Sequence, residues 1–389
     1  MASIELNLID YPKVKVDSEK ELLVKIREES GEYHTEQKIK KGTVSLKMPV
    51  VREWIIEAFN GDKKVFNYQY KLEGQIVFIR FANVALGDAI VWPEYIEKFR
   101  KKYKCKIYVK VKYPELFEKN YPNITFLKKG QNLEKVDVQV QANIVLGGVP
   151  MLQWPATILN LEKEELRPKI DRPKLKRNIE KKYVCIATHA SSYHKYWLRK
   201  NGWNDIIKYL KELGYEVLCI DGDDVADYGL TKMHVPEGCI KRTGHRPLSE
   251  RVNDLHFCDF FIGLGSGLSW LAWAVGKPVV MIAGFSDEEC EFKNPYRVIN
   301  KDVCHGCWGK HENEEVIDRF IKNSEGIVCR FKSGIADPFY CPKYYGTSRQ
   351  HECSREITFE MVKDKIDNCI KKLNAYPLLC FYVAFGRAL

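Results

Sequence analysis

Short apolar runs, each followed by an amphipathic stretch, constrain most tightly how this chain folds. The run GQIVFIRF, which begins at Gly74, does not alternate apolar and polar residues and is typical of a buried parallel strand. A helical stretch and the strand CKIYVKV follow it, and short strands and helices continue to about residue 165. A second series runs from YVCIATHAS to KPVVMIAGF. The chain is therefore predicted to contain two α/β halves.

Two Rossmann-like halves with a cleft between them predict a GT-B architecture, whose ligands bind at the carboxyl ends of the strands. Before Gly74, apolar and polar residues alternate with period two, which predicts a small antiparallel β domain. Asn60-Gly61-Asp62 is predicted to form a hairpin turn in it. The predicted domains are an N-terminal β domain at 1–72, a first Rossmann-like half at 73–165, a linker at 166–182, a second Rossmann-like half at 183–300, a cysteine metal finger at 301–356 and a C-terminal helix at 357–389.

Composition limits the functional class. No run of 18 apolar residues occurs, so we expect no transmembrane helix and no membrane insertion. The N-terminal segment has early acidic residues and lacks the apolar core of a signal peptide, which favours a cytoplasmic protein. The net charge of +10 fits either a solvated lysine-rich surface or attraction to an anionic ligand. No nucleic-acid-binding motif appears, so we expect no nucleic acid partner.

The loop ANVALGD, which follows the first buried strand, is predicted to face a substrate. Gly87 allows a close approach of the backbone, and Asp88 lies near the first turn of the following helix. The carboxylate of Asp88 can act as a general base that takes a proton from an acceptor hydroxyl. It can also serve as an N-cap that holds backbone N–H groups. Both interpretations fit the loop taken alone.

A glycine-rich turn joins the strand FIGL to a helix and resembles an anion site. The N–H groups of Ser266, Gly267 and Leu268, together with the helix dipole, suit a diphosphate. The alternative is a tight connection that binds no ligand. Trp270 and Trp273 lie three residues apart on this helix, a spacing more typical of core packing than of a stacking platform.

Polar residues after other strands of the second half complete the predicted ligand site. His189, Ser191 and Lys195 follow the strand YVCIA, and Lys195 can neutralise a leaving diphosphate or be an ordinary surface lysine. Asp221 can accept hydrogen bonds from ribose hydroxyls or stabilise the turn that follows it. Glu291, after the strand VVMI, can bind sugar or ribose hydroxyls in the same way.

Four cysteines are spaced to close around one metal ion. Cys304 and Cys307 form a C-x-x-C pair, and Cys341 and Cys353 form a C-x11-C pair. Four thiolates select zinc or iron, and they leave no open position for a substrate, which predicts a structural site. Cys329 lies between the two pairs and is an alternative ligand that lacks flanking turn residues. The chain has 13 cysteines, which in a cytosolic protein favour thiols and metal ligands over disulfides.

Together these motifs resemble the bacterial autotransporter heptosyltransferases, which are related to the lipopolysaccharide heptosyltransferases and have the GT-B fold. The resemblance covers roughly residues 75–360. It rests on VFIRFANVALGDAI, THASSYHKYW, VLCID and GLGSGLSWLAWAVGKPVVMI. Its most specific part is CHGCW followed by CP and GTSRQHEC.

The resemblance implies one iron ion per chain in the cysteine finger, where spacing alone leaves zinc open. It implies that heptose is transferred from ADP-heptose to serine side chains of an autotransporter passenger domain, in the cytoplasm before secretion. It also implies a ring of twelve protomers, with contacts through the finger and the N-terminal β domain. In this family pattern Asp88 is the base, Ala85, Leu86 and Gly87 line the donor site, and Lys195 meets the diphosphate.

Two other functions remain compatible with the residues. One is a GT-B glycosyltransferase that uses another nucleotide sugar, or a glycan or lipopolysaccharide acceptor. The other is a non-catalytic, metal-dependent scaffold, which predicts no donor hydrolysis and no loss of function when Asp88 is replaced by asparagine.

Overall fold

The structure, a computed structural model, describes residues 2–31, 34–47, 50–81, 85–142, 151–228, 231–307, 341 and 343–375. The chain divides into two compact units. The first comprises residues 1–84, 91–144 and 153–166, and the second comprises residues 85–90, 145–152 and 167–389. Residues 85–90, which carry Asp88, therefore group with the second unit, although the sequence pattern assigns them to the first half.

The first unit begins with a five-stranded antiparallel sheet. Its strands are β1 (Ser3–Asn7), β2 (Lys13–Arg27), β3 (His34–Ser45), β4 (Ile55–Asn60) and β5 (Lys63–Gln69). The order is β1-β2-β4-β5, with β3 also paired to β2. Alternate residues of β2, such as Val14, Val16 and Val24, are buried, as the period-two pattern predicts. A two-residue turn with Gly61 at φ 58° joins β4 to β5, which confirms the predicted hairpin.

A four-stranded parallel sheet completes the first unit, in the order β8-β7-β6-β9. Its strands are β6 (Ile76–Arg80), β7 (Lys106–Lys110), β8 (Ile124–Phe126) and β9 (Val138–Gln141). The stretch after β6, expected as one helix, is two helices, α1 (Leu86–Val91) and α2 (Pro93–Tyr103). The break has a local cause, because Pro93 has no N–H to continue the hydrogen bonds of α1. Residues 154–159 form α3 (Trp154–Leu159).

The second unit is built on a six-stranded parallel sheet in the order β14-β11-β10-β15-β16-β17. Its strands are β10 (Tyr183–Ala187), β11 (Glu216–Cys219), β14 (Ile240–Lys241), β15 (Phe261–Leu264), β16 (Val279–Ile282) and β17 (Arg297–Val298). A small hairpin, β12 (Val225–Asp227) and β13 (Lys232–His234), lies outside this sheet. Every residue of β10, β15 and β16 is buried, as expected for the central strands of a parallel sheet.

Helices accompany these strands in the second unit. They are α4 (Gly202–Glu212), α5 (Leu248–Phe257), α6 (Gly267–Val275), α7 (Glu352–Arg355) and α8 (Phe359–Ala375). Short 3-10 helices occur at Pro114–Leu116, Met151–Gln153, Tyr193–Lys195 and Glu288–Cys290. Within the described residues, no helix combines the length and the apolar character that crossing a membrane requires. The apolar segment after residue 375 and the insert that contains Cys329 lie outside the described residues.

Candidate functional site

The described end of the ANVALGD loop, residues 85–88, named here the acidic loop, is held by the carboxylate of Asp88. Asp88 is the third residue of α1, and its Oδ2 accepts a hydrogen bond of 3.1 Å from the backbone N–H of Ala85. This contact satisfies an N–H group that the helix itself cannot pair. The capping role that the sequence left open is therefore present, although Asp88 occupies the third helical position rather than the N-cap. This hydrogen bond uses only Oδ2 of Asp88, so it does not conflict with a role of the carboxylate as a general base.

The acidic loop and the glycine-rich turn lie directly against each other. A Cβ atom built on Gly87 would be 2.9 Å from Cδ1 of Trp270, and one built on Gly267 would be 2.8 Å from Cβ of Leu86. Such distances are shorter than van der Waals contact, so only glycine fits at either position. The amino ends of α1 and α6 thus meet, and two motifs far apart in the sequence form one site.

The expected core role of the two tryptophans is confirmed. Trp270 and Trp273 are each 3% exposed. Their rings pack edge to face at 5.7 Å between centroids, and both contact Phe292. The ring of Trp270 therefore serves as the wall against which Gly87 lies.

The local environment makes Asp88 a stronger base than an ordinary aspartate. Burial raises the pKa of its carboxyl group, because a charged carboxylate loses hydration there. The Ala85 N–H group and the positive charge of Lys195 oppose this rise in pKa. Lys195 is therefore near enough to Asp88 to influence its ionisation. A base that is active near neutral pH benefits from such a raised pKa.

Asp221 stabilises the loop that follows β10. Its carboxylate accepts hydrogen bonds from the N–H and Oγ1 of Thr188, at 2.7 and 3.0 Å, and from the N–H of His189, at 3.2 Å. Asp221 is only 1% exposed, so its carboxylate offers no surface to a ribose hydroxyl. The ribose role is corrected accordingly, since the contacts seen are those of loop stabilisation.

The other predicted ligand-binding residues of this loop, His189, Ser191 and Lys195, differ in their exposure to solvent. His189 has a buried Nε2 atom with no hydrogen-bond partner among the described residues. Ser191 is exposed. Lys195 ends the 3-10 helix Tyr193–Lys195 and is partly exposed. The loop thus presents His189, Ser191 and Lys195 at the carboxyl end of β10.

The glycine-rich turn offers fewer donors than its sequence predicts. The N–H of Ser266 donates to the carbonyl of Leu264 at 2.7 Å, so it is occupied within the turn, which corrects its predicted use by a diphosphate. Gly267 and Leu268 open α6, where a helix provides no internal acceptor for N–H groups. Binding of an anion by these two N–H groups and the helix dipole therefore stays a prediction.

Glu291 packs against the same turn at Gly265. Its Oε1 accepts a hydrogen bond of 2.8 Å from Oγ of Ser286, and its Oε2 forms an ion pair with Arg297. A Cβ atom built on Gly265 would be 2.5 Å from Oε1 of Glu291, so the carboxylate touches the turn. Glu291 is 9% exposed and both oxygens are engaged, which corrects its expected role as a direct ligand of sugar hydroxyls.

The four cysteines of the predicted finger are neighbours. Burial raises the pKa of the Cys353 thiol well above its ordinary value, and the nearby Cys307, Cys341 and Cys304 add to the rise. Burial also raises the pKa of the Cys304 thiol, and the positive charge of Lys343 opposes this rise. In the absence of a cation, four clustered thiols disfavour one another's ionisation, and a bound metal ion reverses this effect. The donor set therefore fits a thiolate-binding metal in its chemistry.

The cysteine arrangement does not amount to a formed metal centre. Among the residues that the structure describes, no three His, Cys, Asp or Glu side chains are grouped so that they could hold a metal ion. Cys329, the alternative ligand, lies outside these residues. The four-cysteine ligand set therefore stays a proposal.

No sequence motif reveals the residues that attach the cysteine segment, which comprises the described residues of 301–356, to the rest of the unit. Gly306 N–H donates to the carbonyl of Gly284 at 2.9 Å and so attaches the segment to the loop after β16, while Cys304 N–H donates to Oε1 of Glu352 at 3.0 Å within the segment. His351 was missed as well, although its position two residues before Cys353 is a usable signal. It adopts the left-handed conformation with φ 56° and is 7% exposed.

Comparison with known proteins finds clear relatives. The family model for glycosyltransferase family 9 (heptosyltransferase) matches residues 134–317. The autotransporter heptosyltransferase Aah of Escherichia coli is 36% identical over 353 residues, which cover 87% of this chain and 85% of Aah. The inactive autotransporter heptosyltransferase BimC of Burkholderia thailandensis is 31% identical over 332 residues, which cover 80% of this chain and 73% of BimC.

A solved structure is similar over nearly the whole chain. It is the crystal structure of TibC, a bacterial iron-containing dodecameric glycosyltransferase from enterotoxigenic E. coli H10407. The TM-score is 0.84 at 31% identity, with 95% of this chain and 96% of TibC covered. TibC has also been solved in complex with ADP-D-beta-D-heptose. The likeness confirms the expected GT-B-like α/β fold, and the identity to Aah shows that this chain belongs to the autotransporter heptosyltransferases, a family of glycosyltransferase enzymes.

Proposed function

We propose that the protein transfers heptose from ADP-heptose to serine hydroxyls of an autotransporter passenger domain in the cytoplasm. The observation that carries the proposal is the contact between the acidic loop and the glycine-rich turn, through Gly87 with Trp270 and Leu86 with Gly267. This contact places the helical turn that carries Asp88, whose pKa is raised by burial, against the amino end of α6, whose N–H groups suit a diphosphate. The complex of TibC with ADP-D-beta-D-heptose supports the choice of donor.

In the proposed reaction Asp88 acts as the general base. Its carboxylate takes the proton of the serine hydroxyl while the hydroxyl oxygen attacks the anomeric carbon of the heptose. The bond between the anomeric carbon and the β-phosphate oxygen breaks, and its electron pair leaves with ADP. Lys195 and the N–H groups of Gly267 and Leu268 stabilise the negative charge that develops on the diphosphate.

The remaining residues of the site position these groups. Asp221 orders the loop that carries His189 and Lys195, and Glu291 supports the glycine-rich turn. We propose that the unpartnered Nε2 of His189 meets a polar group of the donor, and that Ser191 lies beside it. Ala85 and Leu86 line the donor site next to Gly87.

We propose that Cys304, Cys307, Cys341 and Cys353 hold one iron ion, with zinc as the alternative metal. The thiol cluster and the iron-containing relative TibC support this assignment. A metal held by four thiolates would cross-link the segment and contribute free energy of folding, and it would take no part in the transfer. We also propose a ring of twelve protomers, as in dodecameric TibC, with contacts through the cysteine segment and the N-terminal β domain.

Replacing Cys353 by serine is expected to release the metal and weaken assembly, because serine is a poor ligand for iron or zinc and the segment loses its cross-link. Elemental analysis and light scattering measure the two effects. Cys239→Ser, at a partly buried thiol outside the cysteine segment, is the matched control and should retain metal. Unchanged metal content in Cys353→Ser would remove Cys353 from the ligand set.

The transfer itself is tested with purified protein, ADP-heptose and a passenger fragment, followed by intact mass spectrometry. The proposal expects the fragment to gain mass in heptose-sized steps, and peptide mapping then shows whether serines carry the sugar. Donor binding without any gain in mass points to another acceptor. No donor binding favours another nucleotide sugar.

A non-catalytic scaffold is the second candidate, and the inactive relative BimC is the observation that favours it. In a scaffold, Asp88 would serve only to cap α1 through Ala85. This candidate expects neither transfer to the fragment nor hydrolysis of ADP-heptose by protein that is folded and loaded with metal.

A further inference from the structure

The 3-10 helix that carries Lys195 is held by a side chain of the cysteine segment. The ring of His351 lies 5.4 Å from the ring of Tyr193 and 5.4 Å from that of His194, measured between centroids. Both pairs meet edge to face, with interplanar angles of 72° and 73°. His194 and His351 are 6% and 7% exposed, so the contact is buried. One ring therefore fixes the two residues that precede Lys195.

Two hydrogen bonds fix the residues that follow Lys195. Oγ of Ser354 donates to the carbonyl of Tyr196, and Nε1 of Trp197 donates to the carbonyl of Ile357 at 2.9 Å. The donor and acceptor residues are all buried, which strengthens these bonds by shielding them from water. Lys195 is therefore flanked by anchored residues on both sides in the sequence.

Cys353 lies between the two anchoring residues His351 and Ser354 and has little room to move. A Cβ atom built on Gly284 would be 1.9 Å from the carbonyl oxygen of Cys353, so the two backbones are in direct contact. The carbonyl of Gly284 in turn accepts the N–H of Gly306, in the loop between Cys304 and Cys307. A displacement of Cys353 would thus be passed directly to His351 and Ser354.

We propose that the cysteine segment positions Lys195, so that closure of the four thiols around a metal raises the affinity of the protein for the diphosphate of the donor. This rests on the proposed function, in which Lys195 binds that diphosphate. A lysine side chain has many rotamers, and the position of its backbone decides how many of them reach a ligand. His351 and Ser354 are positioning residues, because they act through Lys195.

The test is a double-mutant cycle on the full chain with ADP as the probe. Isothermal titration calorimetry gives the Kd of the wild type, His351→Asn, Lys195→Ala and the double variant. Asparagine removes the ring and tolerates the left-handed backbone of residue 351. His351→Asn is expected to weaken ADP binding by roughly tenfold, a coupling typical of residues linked through a shared backbone shift. With Lys195→Ala already present, the same change should have no further effect.

Two further variants separate positioning from general destabilisation. His351→Phe keeps an aromatic edge against Tyr193 and His194 and, once thermal unfolding shows that it folds despite the left-handed backbone at 351, should bind ADP nearly as the wild type does. Ser354→Ala removes only the hydroxyl oxygen that donates to the carbonyl of Tyr196, and it should weaken ADP binding only when the Lys195 side chain is present. It replaces His351→Asn in the cycle if that variant does not fold. Removing the metal with EDTA should weaken ADP binding in the wild type but not in Lys195→Ala.

Three results would overturn the positioning role. The first is an equal loss of ADP affinity on His351→Asn with and without the Lys195 side chain. The second is unchanged affinity in both His351→Asn and Ser354→Ala when they are folded. The third is ADP affinity that does not respond to metal removal. Failure of the wild type to bind ADP at all would instead reject the proposed donor, so the two failures are distinguishable.

Discussion

Replacing Asp88 by asparagine is expected to lower the rate of heptose transfer by about 10²- to 10⁴-fold, the usual contribution of a general base. The amide cannot take a proton, but its oxygen can still accept the Ala85 N–H that the carboxylate accepts now. The variant therefore removes the base and keeps the cap of α1. Steady-state rates of transfer to a passenger fragment measure the effect, and thermal unfolding checks that the fold is retained.

The pH dependence of the wild type provides an independent check. In the proposed mechanism, transfer needs the carboxylate form of Asp88, whose pKa is raised by burial, so the rate should begin to fall at a higher pH than the ordinary pKa of 3.8 implies. Lys195 opposes this rise, so Lys195→Ala should move the acid limb of the profile to still higher pH. An Asp88→Asn variant with wild-type rates would show that capping is the whole role of this residue.

Replacing Gly284 by alanine is expected to be among the most destabilising single changes in the second unit. The new Cβ would lie 1.9 Å from the carbonyl oxygen and 2.8 Å from the carbonyl carbon of Cys353, both of them backbone atoms. Overpacking of a core commonly costs about 1–3 kcal/mol, and a clash with backbone belongs at or above the upper end of this range. The cysteine segment should separate from β16, with loss of bound metal and a lower melting temperature.

Gly222→Ala is the matched control for this substitution. Gly222 is exposed, has no atom within 4 Å of its built Cβ, and does not adopt a positive φ. The same chemical change there should leave the melting temperature and the metal content nearly unchanged. If Gly284→Ala also melted and bound metal as the wild type does, the close packing of the cysteine segment on Gly284 would be refuted.

Local patterns in the sequence predict most of the strands. The unbroken apolar run at β6 and the alternation along β2 both form strands as expected, although Ile76 and Phe78 on one face of β6 are only partly buried. The division between α1 and α2 departs from the expected single helix because Pro93 interrupts its hydrogen bonds. Pro93 is visible in the sequence, so this break could have been predicted from it.

The contacts between distant segments could not be predicted in this way. The sequence predicts an acidic loop and a glycine-rich turn separately, but no local pattern reveals that Gly87 lies on Trp270. The same limit explains the two corrected acidic residues. Asp221 and Glu291 follow strands, where ligand-binding acids occur, yet each is fully engaged by donors from its own surroundings. Only the tertiary structure distinguishes these roles.

The grouping of residues 85–90 with the second unit bears on synthesis of the chain at the ribosome. Domains generally fold as they emerge, with the N-terminal part first. Here the loop that carries Asp88 emerges early, but α6, on which it packs, emerges long afterwards. Such a non-local contact forms late, because the chain between its ends must first be ordered. A nascent chain should therefore remain catalytically incompetent until most of its length has left the exit tunnel, even when the first unit has already folded.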